Sequence, residues 1–149
     1  MAKPPAVNSV LDVAAYIIGE LGSVTAMKLQ KLVYYCQAWS LVWDERPMFP
    51  EAVQAWANGP VVPELYQAYR GLFHVESLAG GDPGNLDRDA IDTIEAVLRH
   101  YGKKSSQWLS DLTHEEPPWR EARKGLPAGT RGTREIGHAA MAEYYGGLK

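Results

Sequence analysis

Segments with helical hydrophobic spacing, separated by glycine and proline, dominate this chain and restrict it to a mainly helical fold. The clearest runs from Leu86 to Tyr101, where apolar residues recur every three or four positions until Gly102. Another begins at Ser9 and Asp12, a capping-box-like pair, and stops at Gly22. The pattern predicts a mainly α fold of the α+β class, with about six helices and a small antiparallel β-sheet.

A longer helix is predicted from the N-cap Thr25 to about Trp43. Its buried line is predicted to consist of Leu29, Leu32, Val33, Cys36 and Trp39. The polar residues Lys28, Lys31 and Gln37 are expected on faces closer to solvent. On this helix Cys36 is expected to be a core residue rather than a nucleophile, because free cysteine is among the most buried residue types.

Two short segments with alternating hydrophobicity predict the strands of the small sheet. The first runs from Glu51 to Trp56, and the turn Asn58-Gly59-Pro60 follows it. Pro63 then begins a new helix. The second segment, Phe73 to Leu78, is expected to return beside the first.

Length and composition bound the class of protein. The chain has 149 residues, enough for one domain with its own core, and 46% hydrophobic and 22% charged residues are typical of globular proteins. A single domain over residues 1–149, with its core at about 9–145, is expected. The apolar stretches are too short for a membrane span, and a single cysteine excludes an intrachain disulfide and favours the cytoplasm. A net charge of −3 makes a nucleic-acid partner unlikely.

Charge is unevenly distributed along the chain. The segment from Glu76 to Glu95 holds six acidic residues and one basic residue, whereas the segment from Arg120 to Arg134 holds five basic residues and one acidic residue. Such runs are usually solvated surface. The alternative is that the basic segment is a docking patch for an acidic partner, and the sequence leaves both interpretations open.

Residues able to carry chemistry are sparse. Four separated histidines and one cysteine exclude a thiolate zinc site, and no metal, cofactor or catalytic residue is expected. His114, flanked by Asp111 and Glu115, could indicate acid–base chemistry. A histidine at a helix end more often stabilises the last carbonyls, so a structural role is favoured.

Aromatic residues are numerous, with five tryptophans and eight tyrosines. Such residues fill cores first and anchor protein interfaces second. Stacking on nucleic acid is the third and weakest interpretation, because Lys28 and Lys31 alone do not form a basic channel.

Two sequence elements together resemble a known family. The first is M-K-L-Q-K-L-V-Y-Y-C-Q-A-W from Met27 to Trp39, and the second is A-W-A-N-G-P-V-V-P from Ala55 to Pro63. With L-S-D-L-T-H from Leu109 and P-P-W from Pro117, they resemble the Panacea antitoxin domain of SocA-like antitoxins and phage-associated GepA-like proteins. The resemblance covers about residues 9–145.

The resemblance implies a bacterial or phage antitoxin that neutralises a toxin, encoded by an adjacent gene, by direct protein–protein binding. It implies no enzymatic activity. A second possibility is a proteolytic adaptor that presents a client protein to a protease. The family motif, whose residues are expected to form scaffold or partner surface, falls on Lys28, Gln30, Lys31, Tyr34, Tyr35, Glu51, Trp56, Gly59, Pro60, His114 and Trp119.

Several motif residues have a specific expected role. Gly59 and Pro60 set a turn with Trp56 packed beneath it, and Glu51 pairs with Lys28 or Lys31. His114 and Trp119 lock the C-terminal helices onto the same region. The expected partner contacts are exposed aromatic residues and the basic segment: Tyr35, Tyr66, Tyr69, Arg120, Arg123, Lys124, Arg131 and Arg134.

Overall fold

A computed structural model describes residues 9–148, and seven α-helices lie in this range. They are α1 (Val10–Leu21), α2 (Ala26–Trp43), α3 (Pro63–Tyr69), α4 (Arg88–Tyr101), α5 (Ser106–Glu115), α6 (Pro117–Ala122) and α7 (His138–Gly146). The strands are β1 (Val24–Thr25), β2 (Val53–Trp56), β3 (Gly59–Val61), β4 (His74–Val75) and β5 (Glu135–Ile136). The predicted mainly α, α+β fold is confirmed.

The strands form two small antiparallel sheets rather than one. The first has the order β3-β2-β5, and the second consists of β1 and β4. The expectation that residues 73–78 return beside β2 is wrong, because Val75 pairs with Val24 and His74 pairs with Thr25. The second edge of β2 is instead occupied by β5, where Val53 pairs with Ile136.

The ends of the helices follow the predicted local signals. Ser9 and Asp12 form a complete capping box at α1, Thr25 caps α2, and Pro63 is the first residue of α3.

The prediction that Glu51 pairs with Lys28 or Lys31 is wrong. Glu51 lies before β2, and its Oε1 accepts a hydrogen bond of 2.9 Å from the backbone N–H of Val10. Its charge therefore stabilises the N-terminus of α1.

Helix α2 lies at the centre of the molecule and packs against α4, α5 and α7. The expectation that Lys31 and Gln37 face solvent is wrong, since their exposed fractions are 1% and 0%. Gln37 instead holds the segment that follows α2. Its Oε1 accepts from the N–H of Met48 at 2.7 Å, and its Nε2 donates to the carbonyl of Phe49 at 2.9 Å.

A buried cluster of hydroxyl groups around one carboxylate joins α2 to the C-terminal helices. Oε1 of Glu116 accepts hydrogen bonds from the hydroxyls of Tyr35, at 2.7 Å, and Tyr145, at 2.8 Å. The Tyr34 hydroxyl lies 3.0 Å from that of Tyr145. Burial raises the pKa of Glu116, although both tyrosine hydrogen bonds oppose that shift. This tyrosine–glutamate cluster satisfies polar groups that would otherwise be buried without partners.

The tyrosine–glutamate cluster predicts that the two obvious substitutions of Glu116 differ strongly. Glu116→Leu leaves two buried hydroxyls without their acceptor and is expected to lower the free energy of unfolding by about 2–5 kcal/mol. Glu116→Gln retains Oε1 as the acceptor and removes a buried charge, so a change within about 1 kcal/mol is expected. Urea unfolding of both variants measures this, and equal losses would contradict the assigned role of Oε1.

Candidate partner-binding pocket

A pocket of about 410 Å³ opens where α2, the β2–β3 hairpin, α3 and residues 129–133 meet. Its walls include Gln30 and Lys31 from α2, Trp56 from the hairpin and Tyr66 and Tyr69 from α3. Arg131 completes the wall from the basic segment. We call this cavity the motif pocket, because seven of its thirteen lining residues, Gln30, Lys31 and Trp56 among them, belong to the two sequence elements that carry the family resemblance.

Gln30 fixes the inner wall of the motif pocket. Its Oε1 accepts a 2.9 Å hydrogen bond from the N–H of Val62, and its Nε2 donates to the Val62 carbonyl at 3.2 Å. The same Nε2 donates to the hydroxyl of Tyr69 at 3.2 Å. One buried amide thereby connects α2 to the chain just after β3 and to α3.

Lys31 passes directly under Gly59, the first residue of β3. A methyl group built on Gly59 would lie 2.5 Å from Cε and 3.0 Å from Nζ of Lys31, and Gly59 has a φ of +125°. The positive φ favours glycine at this position, and the end of the Lys31 side chain would have to move to admit a methyl group. The turn itself falls on residues 57–58. The space beneath Gly59 is filled by Lys31 rather than by Trp56, whose ring packs on Tyr66 at a centroid distance of 5.2 Å.

The ammonium group of Lys31 is unusual because it is buried without a counter-ion. Within residues 9–148 no carboxylate forms an ion pair with it and no acceptor hydrogen-bonds to it. Burial alone lowers the pKa of Lys31 to about 8. A buried ammonium without a partner destabilises the protein, so this lysine is retained at a cost to stability.

Trp119 ties α6 to the β2–β3 hairpin. Its Nε1 donates a 2.8 Å hydrogen bond to the carbonyl of Trp56, and the ring of His114 stacks on the Trp119 ring at a centroid distance of 4.1 Å.

Burial lowers the pKa of His114, while a hydrogen bond to the backbone of Asn58 opposes that shift. Asp111 accepts from Nε2 of Gln107 at 2.8 Å, and no hydrogen bond joins His114 to a carboxylate within the described range.

The residues expected to contact a partner fall into a buried group and an exposed group. Tyr35, Tyr69 and Arg123 are buried, with exposed fractions of 0%, 8% and 6%, so the expectation that they are exposed is wrong. The guanidinium of Arg123 donates to the backbone carbonyl of Ala55 and to that of Thr130. It thus holds the basic segment against β2 and is not free to meet a partner. Tyr66 is half-buried, whereas Arg120, Lys124, Arg131 and Arg134 are exposed.

Sequence reasoning missed a group of exposed apolar residues beside the motif pocket: Met27, Leu72 and Phe73. Their exposed fractions are 38%, 55% and 74%. The N–H of Ala26 donates to the Phe73 carbonyl at 2.8 Å, so Phe73 lies near the first turn of α2. Met27, in that turn, also lines the pocket. We call these three residues the apolar rim. The available signal was the apolar pair at 72–73, directly after Gly71 and outside any helix.

The chain belongs to the SocA-like antitoxin family with a Panacea domain, since residues 29–120 match the model of that family. Membership suggests an antitoxin role, a toxin as the partner and a non-enzymatic activity. Among curated proteins and among solved structures, nothing matches the chain significantly. In the part of the chain that the structure describes, no helix is long and apolar enough to span a membrane. The same residues contain no cluster of side chains suited to a metal ion.

Replacing Lys31 tests the cost of the buried ammonium. The pKa of Lys31 is about 8 in the folded protein, against an ordinary value of 10.5. Between pH 8 and pH 10.5, Lys31 is therefore protonated in the unfolded chain and neutral in the folded protein. The stability penalty is therefore present below pH 8 and disappears as the pH rises to 10.5. Lys31→Met is expected to raise the free energy of unfolding at pH 7 by up to about 3 kcal/mol. Urea unfolding should show that the stability gained by Lys31→Met over the wild type shrinks between pH 8 and 10.5. A gain that does not depend on pH would contradict the assigned pKa shift.

The contact between Gly59 and Lys31 predicts a strong effect of one methyl group. Gly59→Ala imposes an unfavourable φ and displaces the end of the Lys31 side chain, so it is expected to destabilise the protein by about 1–3 kcal/mol. Gly19→Ala is the matched control, because Gly19 lies inside α1 without a positive φ and its methyl group would meet no atom within 4 Å. No loss of stability is expected there, and a gain of up to about 1 kcal/mol follows from the helix propensity of alanine. Thermal unfolding of both variants makes the comparison, and equal shifts would contradict the packing described.

Proposed function

We propose that this protein is an antitoxin that neutralises a cognate toxin, encoded by an adjacent gene, through direct protein–protein binding in the cytoplasm. The observation that carries the proposal is the family match over residues 29–120. The matched range includes most of the residues that build the motif pocket. We further propose that residues 9–145 act as one functional unit, since α2, α4, α5 and α7 share one hydrophobic core.

The apolar rim supports a protein as the partner. Large apolar side chains clustered at a surface are typical of interaction sites, and Phe73 is 74% exposed. The exposed basic residues are Arg120, in α6, and Lys124 and Arg134, in the segment that follows it. They suit an acidic partner surface, which they would attract from a distance.

Co-expression with the product of the adjacent gene tests the proposed function. Growth rescue and co-purification are scored together, and a stable complex is expected to bury at least about 1,000 Å² in total. Rescue without a stable complex would instead support the proteolytic adaptor, in which case toxin half-life depends on this protein. A toxic neighbour that is neither bound nor neutralised would contradict both.

Neutralisation by binding predicts that the imidazole of His114 is dispensable. His114→Phe retains a ring that can stack on Trp119 and removes both nitrogens, so growth rescue by the variant is expected to equal that of the wild type. The control is Trp119→Leu, which loses the stacking and the hydrogen bond to Trp56 and should destabilise the fold. Loss of rescue by a folded His114→Phe protein would support catalysis at this residue instead.

A further inference from the structure

The charged side chains that line the motif pocket are both basic, and they lie beside uncharged polar residues such as Gln30, Asn58 and Thr133. Lys31 lines the pocket and brings an ammonium group with no acceptor among residues 9–148. The hydroxyl of Tyr69 accepts from Gln30, which leaves its own hydrogen available to donate. Arg131 adds a second positive charge, and no lining residue is acidic.

The remaining walls of the pocket are largely apolar and aromatic, with Trp56, Tyr66 and Tyr69 among them. Trp56, Tyr66 and Tyr69 form a chain of edge-to-face ring contacts at 5.2 Å and 5.6 Å. In such an environment an ion pair is stronger than in water. The volume of about 410 Å³ lies within the range of ligand-binding pockets. The pocket can therefore hold a carboxylate group together with the methylene groups that carry it.

The surroundings of the pocket indicate that this carboxylate arrives on a protein. A free small anion needs only the pocket, whereas the apolar rim offers Met27, Leu72 and Phe73 as additional contact area outside it. The rim is joined to the pocket wall, because the N–H of Leu72 donates to the carbonyl of Tyr69 at 2.9 Å. A protein that covers the rim would also cover Met27, which lines the pocket.

We propose that the motif pocket receives a carboxylate of the toxin, which pairs with the ammonium of Lys31 and accepts a hydrogen bond from the Tyr69 hydroxyl. The proposal rests on the antitoxin function proposed above. It assigns Lys31 a role in the complex that it does not have in the isolated protein. In the complex the lysine gains the counter-ion that the fold does not provide.

The test measures the affinity of the full chain for the adjacent-gene toxin by isothermal titration calorimetry. Lys31→Met keeps a side chain of similar length and removes the charge, so binding is expected to weaken at least about 30-fold, as for other buried charge pairs that lose one partner. Lys28→Met is the matched control. The Nζ of Lys28 donates to the carbonyl of Gly102, outside the pocket, so affinity should remain within about threefold.

A second variant keeps the test decisive if Lys31→Met fails to fold. Tyr69→Phe removes only the hydroxyl donor, and Gln30 retains the Val62 carbonyl as an acceptor. Affinity is expected to fall by about threefold to tenfold. Unchanged affinity in both variants, or in Tyr69→Phe when only that variant folds, would overturn the proposal.

Substitutions in the toxin identify the carboxylate. Each Asp or Glu of the toxin is changed to Asn or Gln, and the C-terminal carboxylate is amidated in a separate sample. One of these changes is expected to weaken binding to the wild-type protein and to have little further effect on Lys31→Met. Its position distinguishes a side chain from the chain terminus. If no change couples to Lys31, the carboxylate assignment is wrong.

The wild-type titration separates this proposal from the proposed function. If the wild-type chain neither binds nor neutralises the toxin, the antitoxin function fails and the pocket assignment fails with it. If the wild-type chain binds and Lys31→Met binds equally well, the antitoxin function stands and only the pocket assignment fails.

Discussion

Burial of α2 on nearly all sides is the constraint on which the rest of the structure depends. Apart from Lys31, the buried polar side chains of this helix find their hydrogen-bond partners inside the protein, where little water is available to them. Gln30 and Gln37 do so by bonding the backbone of segments that have little regular structure of their own. Each amide supplies an acceptor and a donor, as a neighbouring strand would. The hairpin and the segment around Phe49 are thus held to the same helix.

Local signals made much of the fold predictable. The caps Ser9 and Thr25 each act through a side chain and a backbone N–H two or three residues away, so the sequence alone suffices to locate them. The pairing of β4 with β1 was not predictable in this way. Strands of two residues contain too few positions for alternation to identify a partner, and tertiary packing decides the outcome.

The candidate site was only partly accessible to sequence reasoning, because the environment of a polar side chain is a tertiary property. Helical spacing placed Lys31 and Gln37 among polar positions, yet the elements packed on α2 bury both. Arg123 lies in a basic segment and was expected to be exposed, whereas its guanidinium serves two backbone carbonyls. Periodicity describes one helix at a time, so it cannot show that a polar face is covered by another part of the chain.

The buried charge of Lys31 has a consequence for the lifetime of the protein. An unpaired ammonium in the interior raises the free energy of the isolated fold, and any ligand that neutralises it stabilises the folded state by mass action. The isolated chain therefore visits its unfolded state more often than the bound chain does. Cellular proteases act on that unfolded fraction, so occupancy of the motif pocket and protection from degradation rise together.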